Sequence, residues 1–182
     1  MTSFFYLAAD IQEPHVWATL SERDATIYHD NDFEVFIDAD GDTHEYWEVE
    51  VNALGTVWDQ FLVRPPRDGG ASLSATDLPG LNTAVTVWGT LNDGRDMDEG
   101  WSLEMAIPWD ALRQSAHRRA PPHDGDHWRM NFSRVEWNLE ADPEGRGYEK
   151  KAGRHRRSGP GHPMASSTCT IRSCGVLSNF PR

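Results

Sequence analysis

The sequence predicts an all-β protein, an antiparallel β-sandwich with a short helix near residues 108–113. Three observations carry this expectation. Apolar residues recur at every second position in several short runs, the period of a half-buried strand. Clusters of Gly, Pro, Asn and Asp punctuate those runs, as turns between strands require. The apolar stretches are short, and none could span a bilayer. At 182 residues, one domain is the default, and 38% hydrophobic content with 8 Trp supplies its core.

Taken in order, residues 4–9 read as a first strand and residues 16–19 as a second, split by Glu13 and Pro14. Residues 23–28 are a polar approach to a turn at Asp30. Residues 33–38, 45–53 and 56–63 then read as three consecutive antiparallel strands. In the first, Phe33, Val35 and Ile37 alternate with Glu34, Phe36 and Asp38. In the second, Trp47, Val49, Val51 and Ala53 alternate with Tyr46, Glu48, Glu50 and Asn52. One set of each faces a core. The other forms a surface of acids and Tyr, suited to a polar ligand. Asp38-Ala39-Asp40-Gly41-Asp42 makes an acidic turn between these strands, and Asn52-Ala53-Leu54-Gly55 makes the next.

Pro and Gly mark residues 64–70 as a loop. Residues 83–91 alternate again and end in the turn Asn92-Asp93-Gly94. Residues 101–107 form a further strand. Pro108 opens the short helix at its first turn, where a missing N–H costs nothing. Residues 117–126 are a loop, and residues 128–137 the last strand. There is no internal repeat. Trp47 and Trp101 fall on apolar faces and Trp109 at the helix start, so these three are expected in the core; Trp88 and Trp137 are less plainly so.

The net charge of −12 conceals a break. Residues 1–149 hold all 29 acids and 10 basic residues, a balance of −19. Residues 150–182 hold 7 basic residues and no acid, with both Cys, Cys169 and Cys174. The body is thus acidic, free of Cys and rich in Trp. Such a body repels phosphates, which argues against nucleic acid as a partner.

Four segments carry a family resemblance: EPHVWATL from Glu13, DNDFEVFIDADGDTHEYWEVEVNALGTVWD from Asp30, GWSLEMAIPWDAL from Gly100 and WRMNFSRVEW from Trp128. In this order they resemble the family 9 carbohydrate-binding modules, within the DOMON-like group of jelly-roll sandwiches. The resemblance covers roughly residues 4–137. It implies a non-catalytic module that binds a mono- or oligosaccharide, fused to or associated with a glycoside hydrolase in carbohydrate catabolism. An extracellular or periplasmic location is the family expectation, although MTSFFYLAAD has neither the basic region nor the apolar core of a signal peptide. It reads as a strand entered partway, with the first part of the domain missing.

By the same alignment, Tyr28 stands where the family has a binding Trp, and Glu34 where it has a hydrogen-bonding Glu. Chemistry agrees, since a sugar ring offers a C–H face to an aromatic and hydroxyls to carboxylates and amides. Where the family has a binding Arg, this chain has Glu50. Arg134 or Arg129 could supply a guanidinium instead, and Asn131 an amide. Asp38, Asp40 and Asp42 resemble a calcium loop, with Glu45 or His44 as possible additions. The spacing is not that of an EF-hand. His29, His44, His123 and His127 read as solvated loop residues.

Two rivals compete with the module. Glu34, Glu48, Glu50 and Asp38 offer carboxylates to a glycoside hydrolase, although no catalytic motif frames them. A DOMON-like domain could instead bind haem or a partner protein, with Met105 and Met130 as strand-borne ligands. The tail, residues 150–182, reads as a basic disordered segment or as out of frame. Rereading its codons from Ser158 in the next frame permits WSWAPHGIVDMHYPELWGV, which resembles the family's last strand and second stacking aromatic. A frameshift between about residues 148 and 154 would therefore remove one stacking wall.

Overall fold

The computed structural model describes residues 3–70, 72–73, 76–113, 115–142, 144, 147–151, 157–158 and 168–169. Its elements are β1 (Phe4–Gln12), a 3-10 turn at Ile27–His29, β2 (Asp32–Asp38), β3 (Tyr46–Asn52), β4 (Val57–Leu62), a second 3-10 turn at Pro66–Asp68 and β5 (Ser72–Leu73). There follow β6 (Asn82–Trp88), β7 (Gly100–Pro108), α1 (Trp109–Arg113), β8 (Trp128–Ser133), β9 (Val135–Glu136), β10 (Leu139–Ala141), β11 (Tyr148–Lys150), β12 (Arg157–Ser158) and β13 (Thr168–Cys169). All the strand pairs are antiparallel. The all-β expectation and its short helix hold. No helix among the described residues is long and apolar enough to cross a membrane.

Two sheets enclose the core. The larger has the order β13-β8-β2-β3-β4-β5, and the smaller the order β1-β7-β6. Val35, Ile37, Trp47, Val49, Val51 and Met130 face inward from the larger sheet, and Trp101, Leu103, Met105 and Ile107 from the smaller. Each is at most 5% exposed. A fully buried side chain of this kind contributes about 1.5–3 kcal/mol. Trp109 closes one end, edge-on to Trp128 with ring centroids 5.5 Å apart. The burial expected of Trp47, Trp101 and Trp109 is present, whereas Trp88 is 55% exposed.

Some elements differ from expectation. Residues 16–19 do not form a strand, because side chains take the place of a neighbouring ladder. Asp98 Oδ2 accepts the Val16 N–H at 2.7 Å. Asn92 exchanges two side-chain hydrogen bonds with Ala18, and Asp30 accepts the N–H groups of Thr19 and Leu20. The strand predicted at 128–137 breaks after Ser133, where Asp32 Oδ1 accepts the Val135 N–H at 2.7 Å. β1 runs three residues further than expected, and β6 stops three residues sooner. The hairpin β10–β11 was not legible in the sequence. The expectations for the tail, namely disorder and a frameshift, lie outside the described residues apart from Lys150, Lys151 and the two short strands β12 and β13.

Candidate functional site

The register of the larger sheet places its polar residues in rows across the face that points away from the core. One row runs Ser133, Glu34, Glu50, Trp58 across β8, β2, β3 and β4. The next runs Asn131, Phe36, Glu48, Gln60. The period of two that sends Val35 and Val49 inward sends these residues outward. The floor is recessed: Glu34, Glu50, Asn131 and Gln60 are 4%, 2%, 7% and 7% exposed. Trp58 is half-buried at the end of the first row, and Phe36 and Glu48 are half-buried in the middle of the second.

Tyr28 reaches this face from the first 3-10 turn. Its ring tilts against Trp58 with centroids 5.7 Å apart. The turn is held from several sides. The Tyr28 N–H donates to Glu50 Oε2 at 3.1 Å, and Trp137 Nε1 donates to the Tyr28 carbonyl at 3.0 Å. The ammonium of Lys150 lies 3.9 Å from the Trp137 ring centroid and donates to the His29 carbonyl. Burial lowers the Lys150 pKa from its ordinary value.

Glu34, Glu50 and Asp32 converge beside Tyr28, each presenting an oxygen within 4.8 Å of the others. All three are buried. Each receives a donor: Ser133 Oγ–H for Glu34, the Tyr28 N–H for Glu50 and the Val135 N–H for Asp32. Such a group can accept hydrogen bonds from hydroxyls or hold a cation.

The structure brings together Tyr28, Glu34, Glu50 and Asn131, all expected from sequence. Arg134 is not among them. Its guanidinium donates to the Gln12 carbonyl at 3.2 Å and lies 3.4 Å from Glu13 Oε2. There it serves a buried network in which Asn31 and Trp101 Nε1 also donate to Glu13. Burial raises the Glu13 pKa against the opposing pull of these donors. Arg129 is near Asp38, at 3.9 Å, one row from Asn131. Sequence reasoning missed Trp58 and Gln60, although alternation with Val57 and Asp59 could have placed Trp58 outward.

Asp38 lies at the end of the same face. It is 2% exposed, and its two oxygens accept the N–H groups of Gly41 at 2.8 Å and Thr43 at 3.0 Å. Burial raises its pKa. Asp38, Asp40 and Asp42 can present oxygens within 4.8 Å of one another. Glu45 instead pairs with His117, and the His44 ring meets the Asp42 carbonyl at 3.0 Å. Met105 and Met130 are 1% and 2% exposed within the core.

Among solved structures, the chain is similar to a protein from Bacteroides uniformis described as a "putative carbohydrate-binding protein". The two share 23% identity with a TM-score of 0.51, over 74% of this chain and 59% of the other. This chain therefore spans less than two thirds of that protein, and the likeness establishes the fold. No protein-family model matches the chain, and no curated protein does.

Proposed function

We propose that the protein is a non-catalytic carbohydrate-binding module of the family 9, DOMON-like kind, and that the recessed face of its larger sheet docks a mono- or oligosaccharide. One observation carries this reading: the row Ser133, Glu34, Glu50, Trp58, with Tyr28 packed against Trp58. Two aromatics meet acceptors on a recessed floor, which is what a sugar with an apolar face and several hydroxyls needs. Glu34, Glu50 and Asn131 accept or donate to hydroxyls, and Tyr28 with Trp58 packs on the ring. The similarity to a protein carrying a carbohydrate-binding description supports the same reading.

A module of this kind acts beside a glycoside hydrolase on a polysaccharide, outside the cytoplasm. Glu34, Glu50 and Asp32 are buried and each already holds a protein donor, which suits fixed acceptors for hydroxyls more than a general acid and base. The burial of Met105 and Met130 against apolar neighbours likewise disfavours haem. Asp38, Asp40 and Asp42 are proposed to hold a structural Ca2+.

Isothermal titration with glucose, xylose, cello-oligosaccharides and xylo-oligosaccharides tests the reading. Binding without release of reducing sugar, lost in Glu34→Ala, is expected. Turnover by the purified protein would instead make it a hydrolase, and a Soret band on haem addition would make it a haem domain.

A further inference from the structure

The outer face of the smaller sheet has its own ordered rows. Trp88, Gly100 and Gln12 stand side by side across β6, β7 and β1, and Thr86, Ser102 and Asp10 form the next row. Inward alternation of Val85, Val87, Leu103 and Trp101 sends these residues to the opposite side. Trp88 is 55% exposed on this face, an indole left in water although the core lies one layer away. A depression opens beside it, bordered by Gln12, Pro14 and Glu99.

Gly100 keeps the middle of the first row bare. Its φ is +139°, and a Cβ there would come within 1.9 Å of the Ile11 carbonyl oxygen. No side chain can fill the gap between the indole and the Gln12 amide. The second row supplies two hydroxyls and a carboxylate. Tyr6, 39% exposed, marks the other end of the face, three rows along. Rows two residues apart rise about 6.8 Å each, so the face is about 20 Å long.

We propose that this outer face is a second carbohydrate-binding surface, centred on Trp88, that takes the extended chain of a neutral polysaccharide. It goes beyond the recessed face and does not rest on it. Trp88 supplies the stacking platform, and Gln12, Asp10, Thr86 and Ser102 supply partners for hydroxyls. The length of the face selects a chain over a single sugar. Asp10 and Glu104 stand in these rows, Glu99 borders the depression, and Arg134 meets the Gln12 carbonyl beside it, so the surface carries an excess of acids that disfavours acidic glycans and nucleic acids.

A structural role also exists for an aromatic beside a strand glycine, which it shields. Native gel electrophoresis in soluble arabinoxylan, mixed-linkage β-glucan or galactomannan separates the two, run beside thermal melts. Trp88→Ala is expected to weaken retardation about threefold to tenfold in at least one gel, the range of one aromatic contact, with an unchanged Tm. Gln12→Ala should weaken it in the same gel. Glu34→Ala should leave a residual retardation that the Trp88→Ala/Glu34→Ala double variant abolishes. If Glu34→Ala has no effect while Trp88→Ala does, the recessed-face reading fails and this one stands. The proposal is overturned if wild-type protein is not retarded, if Trp88→Ala migrates as wild type in every gel, or if it lowers Tm or alters the oligomeric mass without altering retardation.

Discussion

The backbone N–H of Tyr28 donates to the carboxylate of Glu50 at 3.1 Å. One buried acid on β3 thus sets the position of an aromatic carried by a turn 22 residues earlier, while sharing its space with Glu34 and Asp32. Three carboxylates so placed repel one another when ionised. Glu50→Gln keeps an oxygen for the Tyr28 N–H and removes one charge. It is expected to stabilise the ligand-free protein by about 1 kcal/mol, in the way that relieving a strained functional site does. It should also weaken sugar binding about tenfold, a typical cost of about 1.4 kcal/mol for a lost charge-assisted bond. Urea denaturation and calorimetric titration measure the two effects. A variant less stable yet equally tight would mean that the charge serves the fold and not the ligand.

Trp58 is the rim residue that holds the Tyr28 ring, and it is half-buried. Trp58→Ala should cost about 2 kcal/mol of stability, less than the roughly 3–5 kcal/mol of a buried Trp such as Trp101. Its effect on sugar binding should be about threefold to tenfold. Comparing Trp58→Ala with Trp101→Ala by chemical denaturation and titration checks this. Equal stability costs, with intact binding in Trp58→Ala, would place Trp58 in the core and not in the site.

The alternation in β2 and β3 was legible because it is local: Val35 and Val49 demand one face, and Glu34 and Glu50 then occupy the other. Tyr28, Glu34, Glu50 and Asn131 follow from that and from the family resemblance. Arg134 did not, because sequence spacing does not reveal the break after Ser133 that turns its guanidinium toward Glu13. Residues 16–19 have strand-like composition, yet Asp98, Asn92 and Asp30 capture their backbone from distances of 11 to 82 residues. Such long-range capture by side chains leaves no periodic trace. The exposure of Trp88 is of the same kind, since it depends on which of two faces the sheet presents to the core.

His117 makes a short contact with Glu45, and that carboxylate raises its pKa above the ordinary value of 6.5. The folded protein therefore binds this proton more tightly than the unfolded chain. Stability from the pair is fully present below pH 6.5 and is lost as pH rises through the folded value. A two-dimensional NMR titration should show the His117 midpoint above 6.5, returning toward it in Glu45→Gln. Both residues are exposed, so high salt should shrink the displacement. A wild-type midpoint at or below 6.5 would show that the contact does not persist in solution.

Asp38 combines the burial of a core residue with the chemistry of a turn. Its oxygens accept two N–H groups that close the loop to Thr43, and Arg129 lies 3.9 Å away. Asp38→Ala should therefore destabilise the protein by about 2–3 kcal/mol even in chelator. Asp40 and Asp42 are more exposed and their removal should leave the metal-free protein almost unchanged. If the loop holds Ca2+, saturating calcium stabilises only the folded state, by about 2.7 kcal/mol at one hundred times the Kd. Thermal melts in Ca2+ and in chelator distinguish these contributions. Wild type should gain Tm with calcium, and Asp40→Ala and Asp42→Ala should lose that gain while melting like wild type in chelator. A calcium-independent wild-type Tm would leave the three aspartates as a hydrogen-bonded turn, with Asp38 alone important to the fold.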